Sequence, residues 1–201
     1  MPITHVFFDI GGVLGSNGWD REQRAHAVTR FGLDAADFDK RHHEIVGEWE
    51  TGRIGIDEYL DSTVFDVPRA FGRDEFVAFM CAQSEPDAAA IAVARRLAAT
   101  GRARLFTLNN ESATLNDYRI TAFGLRELFV AFLSSCWLGV RKPSRAIFER
   151  ALGIAQVRAS DVLFVDDREQ NLQPARMLGF ATHHFQGADG LERALGEHGL
   201  L

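Results

Sequence analysis

Short apolar runs that each stop at a polar residue are the feature of this sequence that most limits its fold. His5-Val6-Phe7-Phe8 ends in Asp9 and is followed by Gly11-Gly12. Residues 103–108 end in Asn109-Asn110, residues 131–133 in Ser134-Ser135, and residues 162–165 in Asp166-Asp167. A weaker fifth run covers 181–184. Runs this short, with no polar alternation, read as strands buried on both faces, and a parallel sheet covered by helices buries strands in that way. Helical patterns over 116–123, 144–152 and 168–178 interleave with the later runs, which predicts a doubly wound α/β fold.

One interval breaks the rhythm. Roughly 90 residues separate the first and second runs, where a crossover needs only a dozen or so beyond its strands. Helical segments are expected at 19–31, 35–51, 57–64 and 73–83, with Asp57 as an N-cap and Gly52 and Gly55 as breakers. A further helix over 88–99, opened by Glu85-Pro86-Asp87 and stopped by Gly101, completes the crossover. The expected organisation is a core of residues 1–15 and 85–201, carrying a helical cap of residues 16–84.

Composition narrows the partners. Apolar residues make up 46% and charged residues 25%, and sixteen Phe against two Tyr point to a core filled by phenylalanine. The net charge is −6, with no basic block, so neither a nucleic-acid surface nor an anionic-membrane surface is expected. Cys81 and Cys136 lie far apart without a CxxC pair and read as reduced thiols. The beginning lacks the marks of a signal peptide and no run is long enough to span a bilayer, so the expected location is cytoplasmic. Oligomeric state is not readable from these residues.

The polar run-ends carry the chemistry. Open parallel sheets bind ligands outside the carboxyl ends of their strands, where strand order reverses. Asp9, Asn109, Asp166 and Asp167 all fall at such ends, and Lys142 lies in the loop before the fourth strand. Three carboxylates in one crevice raise one another's pKa, and a hard divalent cation such as Mg²⁺ relieves the repulsion through oxygen ligands. Lys142 and the N–H groups of the Gly11-Gly12 turn add anion-binding capacity. Asp9 could then attack phosphorus as a carboxylate nucleophile, giving an acyl phosphate that water cleaves.

The segment Val6-Phe7-Phe8-Asp9-Ile10-Gly11-Gly12-Val13-Leu14 resembles the first motif of the haloacid dehalogenase (HAD) superfamily, in its phosphatase branch. Leu108-Asn109-Asn110 resembles the second motif and Arg141-Lys142-Pro143 the third. Phe164-Val165-Asp166-Asp167, with Asn171, resembles the fourth. The resemblance extends over the whole chain and is greatest to the bacterial subfamily of sugar-phosphate phosphatases such as glucose-1-phosphate phosphatase. It implies a phosphatase acting on a small phosphorylated metabolite, with Asp9 as nucleophile and Mg²⁺ ligand and the Gly11 carbonyl as a second ligand. Asp167 would bind the ion directly and Asp166 through water. Asn109, Asn110 and the Gly11 turn would hold the phosphoryl group, Lys142 would neutralise it, and Asn171 would orient Lys142 or the acidic pair.

Two positions depart from the family pattern. Gly11 stands where most of its phosphatases carry the aspartate that protonates the leaving group, a role worth ~10²–10⁴-fold. The acid must then come from substrate, water or cap, or the enzyme is slow. Asn109 stands where Ser or Thr is usual, though an amide N–H can still donate to a phosphoryl oxygen. A metal-free dehalogenase has little use for Asp166-Asp167, and a phosphosugar mutase would need an acid at position 11. A phospho-accepting receiver domain places its acidic pair on the first strand, and a non-catalytic binding protein of the same fold remains an alternative. His42-His43 are neighbours rather than an i,i+4 pair and do not suggest zinc. His183-His184 read as edge-strand residues, Trp19 and Trp49 as packing residues, and Ser134-Ser135-Cys136 lacks a histidine partner.

Overall fold

The computed structural model describes residues 2–201. Five parallel strands form its sheet: β1 (His5–Phe8), β2 (Arg104–Thr107), β3 (Ala131–Phe132), β4 (Val162–Asp166) and β5 (Ala181–His184). Their order is β3-β2-β1-β4-β5, so β1 is central and strand order reverses beside it. Side chains alternate across a strand, and the strands use both faces for apolar residues. Val6, Phe8, Leu105, Leu163 and Val165 pack on one face with α5 (Ala88–Thr100) and α10 (Ala188–Glu197). Phe7, Phe106, Val162 and Phe164 pack on the other with α8 (Arg145–Ala155) and α9 (Glu169–Met177). Each buried phenylalanine contributes roughly 1.5–3 kcal/mol relative to exposure, so the central strands anchor the sheet. The doubly wound α/β fold expected from the run pattern is the observed one.

Four helices lie between β1 and α5: α1 (Arg21–Phe31), α2 (Ala35–Glu50), α3 (Ile56–Thr63) and α4 (Arg73–Ala82). They surround a third apolar cluster that includes Trp19, Phe38, Trp49, Tyr59, Leu60, Phe76 and Met80. Trp49 stacks on Tyr59 with ring centroids 3.9 Å apart. The chain enters and leaves this insertion side by side, since Gly15 bridges Pro86 and the Ser16 N–H donates to the Glu85 carbonyl at 2.8 Å.

Local details differ from the sequence reading. Asp57 is not the cap of α3; Gly55 holds that place, and its N–H donates to the Glu58 carboxylate at 3.0 Å. Trp19 precedes α1 rather than opening it, because Asp20 takes the N-cap and ends the extended entry. The short α6 (Ala113–Ala122) starts three residues earlier than expected, and α7 (Ser135–Leu138) and α10 were not anticipated. Among the described residues no helix is long and apolar enough to cross a membrane. Neither cysteine is bonded, and Cys136 is buried.

Candidate active site

Strand register brings the acidic residues together. Phe8 pairs with Thr107 on one side and Val165 on the other, so the next residue of each strand stands level at the same edge. The Asp9 N–H donates to the Val165 carbonyl at 2.9 Å, which sets Asp9 beside Asp166. Asp9, Asp166 and Asp167 each offer a carboxylate oxygen, and these oxygens lie within 4.8 Å of one another. Gly12 makes room for the third. Its φ is +73°, and a Cβ there would sit 2.3 Å from Asp167 Oδ2, so a side chain would expel that carboxylate.

The three carboxylates are held differently. Asp166 is fully buried and accepts from Lys142 Nζ at 2.7 Å, from the Arg168 N–H at 2.8 Å and from Asn171 Nδ2 at 3.0 and 3.1 Å. Asn171 therefore braces the acidic pair. Asp9 Oδ1 accepts from the Ile10 N–H at 2.8 Å and lies 3.0 Å from Lys142 Nζ. Asp167 Oδ1 is buried and has no hydrogen-bond partner among the described residues. A buried carboxylate oxygen without a donor is costly unless a cation meets it.

Burial pushes Asp9 up to about 7, with Asp166 and Asp167 adding to the rise and Lys142 opposing it. Asp167 is raised for the same first reason, helped by Asp166. Burial pulls Lys142 down, but Asp9 and Asp166 outweigh it and hold the ammonium above the ordinary lysine value. Lys142 reaches the centre from the loop after α7 because Asn110 clamps its peptide. Asn110 Nδ2 donates to the Lys142 carbonyl at 2.9 Å, and the Lys142 N–H donates back to Asn110 Oδ1 at 2.8 Å. Asn109 is 2% exposed; its Nδ2 donates to Asn116 Oδ1 at 2.9 Å and its Oδ1 accepts from Ser134 Oγ at 2.8 Å. Both amides thus organise the loop after β2.

A cavity of about 430 Å³ opens over this edge. Asp9, Gly11, Asn110, Lys142 and Asn171 line its floor, and the helical insertion supplies much of the remaining wall. Arginine–carboxylate pairs, some joining the insertion to the rest of the chain, ring the cavity. Arg24 lies 3.1 Å from Asp39, Arg141 2.7 Å from Glu50, Arg168 2.7 Å from Asp20, and Arg119 3.8 Å from Glu111. Behind it, Trp19 Nε1 donates to the Tyr59 hydroxyl at 2.8 Å, and His42 Nδ1 lies 2.8 Å from the same oxygen. Trp19 and Trp49 are buried packing residues as expected, although both also touch the cavity. Sequence reasoning did not single out Arg24, Glu111 or Arg119, and it named Arg141 only within the third motif. Arg119 left a signal, since it shares the buried stripe of α6 with Leu115 and Ile120.

A model of haloacid dehalogenase-like hydrolases matches residues 3–179. The chain belongs to that family. Within it, a D-ribitol-5-phosphate phosphatase of Bacteroides thetaiotaomicron is 27% identical over 208 residues, covering 94% of each chain. A HAD family enzyme of the same organism, solved with magnesium and inorganic phosphate, shares the fold at a TM-score of 0.73. It is 19% identical, and the match covers 90% of this chain and 93% of that one. A HAD-like family hydrolase of Porphyromonas gingivalis superposes with a TM-score of 0.77 at 20% identity, covering 97% and 98% of the two chains.

Proposed function

We propose that this HAD-like hydrolase is a magnesium-dependent phosphatase that cleaves a small, hydroxyl-rich phosphomonoester through an aspartyl-phosphate on Asp9. The observation that carries the reading is the cluster of Asp9, Asp166 and Asp167 around one point, with Lys142 Nζ 3.0 Å from Asp9 and 2.7 Å from Asp166. The related ribitol-phosphate phosphatase and the fold relative bound to magnesium and phosphate support it.

The residues fit a hard divalent cation: all donors are oxygens, and Asp167 Oδ1 has no hydrogen-bond partner among the described residues. Asp9, Asp167 and the Gly11 carbonyl would hold the ion, with Asp166 reaching it through water because Lys142, Asn171 and the Arg168 N–H already occupy its oxygens. When bound, Mg²⁺ supplies the positive charge that keeps Asp9 ionised and offsets the phosphoryl group.

Asp9 Oδ1 is tied to Ile10 and Lys142, which leaves Oδ2 to attack phosphorus. Lys142 then faces the charge that develops on the phosphoryl oxygens. Asn110, on the cavity floor, and the Gly11 turn receive those oxygens, while Asn109 acts from behind by holding the loop. Residues 16–84 serve as a cap over a core of residues 1–15 and 85–201, excluding bulk water and selecting the leaving group. Arg24, Arg141 and Arg168 are paired with carboxylates and Arg24 Nε has no hydrogen-bond partner among the described residues, which suits a neutral polyol or sugar more than a second anion.

Phosphate release from a panel of sugar, polyol and nucleotide monophosphates is the test. Turnover is expected with magnesium and not with EDTA, and Asp9→Asn is expected to fall by roughly 10⁴-fold or more, as loss of a covalent nucleophile does elsewhere. Full activity in Asp9→Asn, or in EDTA, would overturn the reading.

A further inference from the structure

We propose that Glu111 is the proton donor to the leaving group, a role for which Gly11 has no side chain. The inference rests on the phosphatase reading and extends it to a residue outside the four motifs. Glu111 lines the same cavity as Asp9, 7% exposed, from the turn that leads into α6. Its two oxygens are not equivalent. Oε1 accepts the Ser112 N–H at 2.9 Å, whereas Oε2 has no hydrogen-bond donor among the described residues, Arg119 Nη1 standing off at 3.8 Å. That Arg119 nitrogen also lies 3.6 Å from where a Cβ on residue 11 would be. The guanidinium is thus close to both position 11 and the Glu111 carboxyl, with its Nε on Ser84 Oγ at 3.1 Å and its Nη2 on the Ser16 carbonyl at 2.8 Å.

Burial favours a held proton on Glu111, while the nearest charge opposes it. Arg119 of α6 lowers its pKa, and Glu50 at the end of α2 partly offsets that cation. Burial, the larger effect, pushes the carboxyl up to about 7. As the Asp9–phosphorus bond forms, the bond from phosphorus to the leaving oxygen breaks, and the proton on Oε2 passes to that oxygen. In the second half, the ionised Glu111 takes a proton from the water that attacks the aspartyl-phosphate. Inorganic phosphate leaves, and the carboxyl is protonated again.

The test compares wild type and Glu111→Gln, with magnesium, on D-ribitol 5-phosphate and p-nitrophenyl phosphate. The first loses an alkoxide and needs the proton; the second loses a stabilised phenolate and does not. The variant should lose ~10²–10³-fold in kcat on the polyol phosphate and change little on the aryl phosphate. Equal losses on both, or no loss on either, overturn the assignment and leave the phosphatase reading standing. A wild type that cleaves neither substrate sinks the phosphatase reading itself, and this one with it. Infrared spectra of both proteins at neutral pH, with magnesium present so that Asp9 is ionised, give a readout free of turnover: a carboxylic-acid band seen in wild type should be lost in the variant, and identical bands in the two proteins contradict the proposal. If the glutamine variant does not fold, Glu111→Asp keeps the acid but withdraws it, and should show the same substrate split at reduced size.

Discussion

The two sides of the cavity are built on opposite electrostatic terms. At the sheet edge, three carboxylates face one buried lysine, with Arg168 Nε 4.0 Å from Asp167, and negative charge is in excess. On the far wall, Arg24, Arg141 and Arg168 each stand against a carboxylate, so the surface is strongly polar yet nearly balanced. Unbalanced buried charge is expensive and persists only where a ligand completes it. A balanced wall needs no such completion and can offer hydrogen bonds to hydroxyl groups. On the proposed reading, the reactive end of a substrate is separated from the end that is recognised.

Breaking the lysine should have the largest effect on the sheet side. Lys142 is 3% exposed and contacts two buried carboxylates. Lys142→Met leaves both uncompensated, and stranding a buried charge costs about 3–5 kcal/mol. The sign with pH follows from Asp9, whose folded pKa is raised. Its unfolded counterpart loses its proton first, so stability falls as pH rises from about 4 towards 7. Without the lysine this fall should steepen. Urea midpoints for variant and wild type at pH 5 and pH 8 would show it; an equal loss at both values would mean that Lys142 acts through packing alone.

Gly12→Ala sharpens the same side at lower cost. The new methyl would occupy the place of Asp167 Oδ2 at a backbone φ that favours glycine. Displacement of one ligand should weaken magnesium binding by about 10–100-fold, the range typical of a disturbed ligand shell. Isothermal titration with Mg²⁺ measures this directly, and an unchanged affinity would remove Asp167 from the metal set.

The far side depends on packing, and Tyr59→Phe tests it. The hydroxyl serves Trp19 Nε1 and His42 Nδ1, both at 2.8 Å, in a buried setting. Its loss strands polar groups at about 1–3 kcal/mol each. Thermal unfolding should shift down, while KM for a substrate bound to magnesium changes more than kcat. A kcat effect without a stability effect would place Tyr59 in the chemistry instead.

The two sides also differed in how far they could be read from sequence. Asp9, Asp166 and Asp167 were legible because a buried strand must end in something, and Phe8, Thr107 and Val165 end level in the sheet. Lys142 needed only its order in the chain. Arg119, by contrast, draws its meaning from Ser16 and Ser84, distant in sequence and adjacent only because the insertion starts and ends at one point. Arg24 finds Asp39 across two helices, a pairing that periodicity does not reveal. Helix α10 escaped notice because Gly190 and Gly196 dilute a pattern resting on Leu191 and Leu195. Registered strands make chemistry visible in a sequence, whereas a wall assembled by tertiary pairing does not show itself until the chain has folded.

The smallest expected effect is also on the far side and concerns His42. Burial, with Arg24 and His43 adding, lowers its pKa to about 3. A neutral imidazole can take the phenol's hydrogen on Nδ1 while the phenol oxygen takes the indole N–H, so the three side chains close a network only with His42 unprotonated. Below the ordinary value of about 6.5, the unfolded chain binds a proton that the folded one refuses. Stability is therefore complete above that pH and declines as pH falls towards 3, by at most ~1.4 kcal/mol per pH unit. Urea titrations of wild type and His42→Asn between pH 7 and pH 5 should show a shallower acid decline in the variant, since asparagine has no proton to gain. The sheet edge predicts the opposite trend over the same range, because Asp9 favours the folded chain as pH falls. Parallel slopes in the two proteins would mean that His42 is charged, and the wall would then carry an arginine-side excess that favours an anionic leaving group over a neutral one.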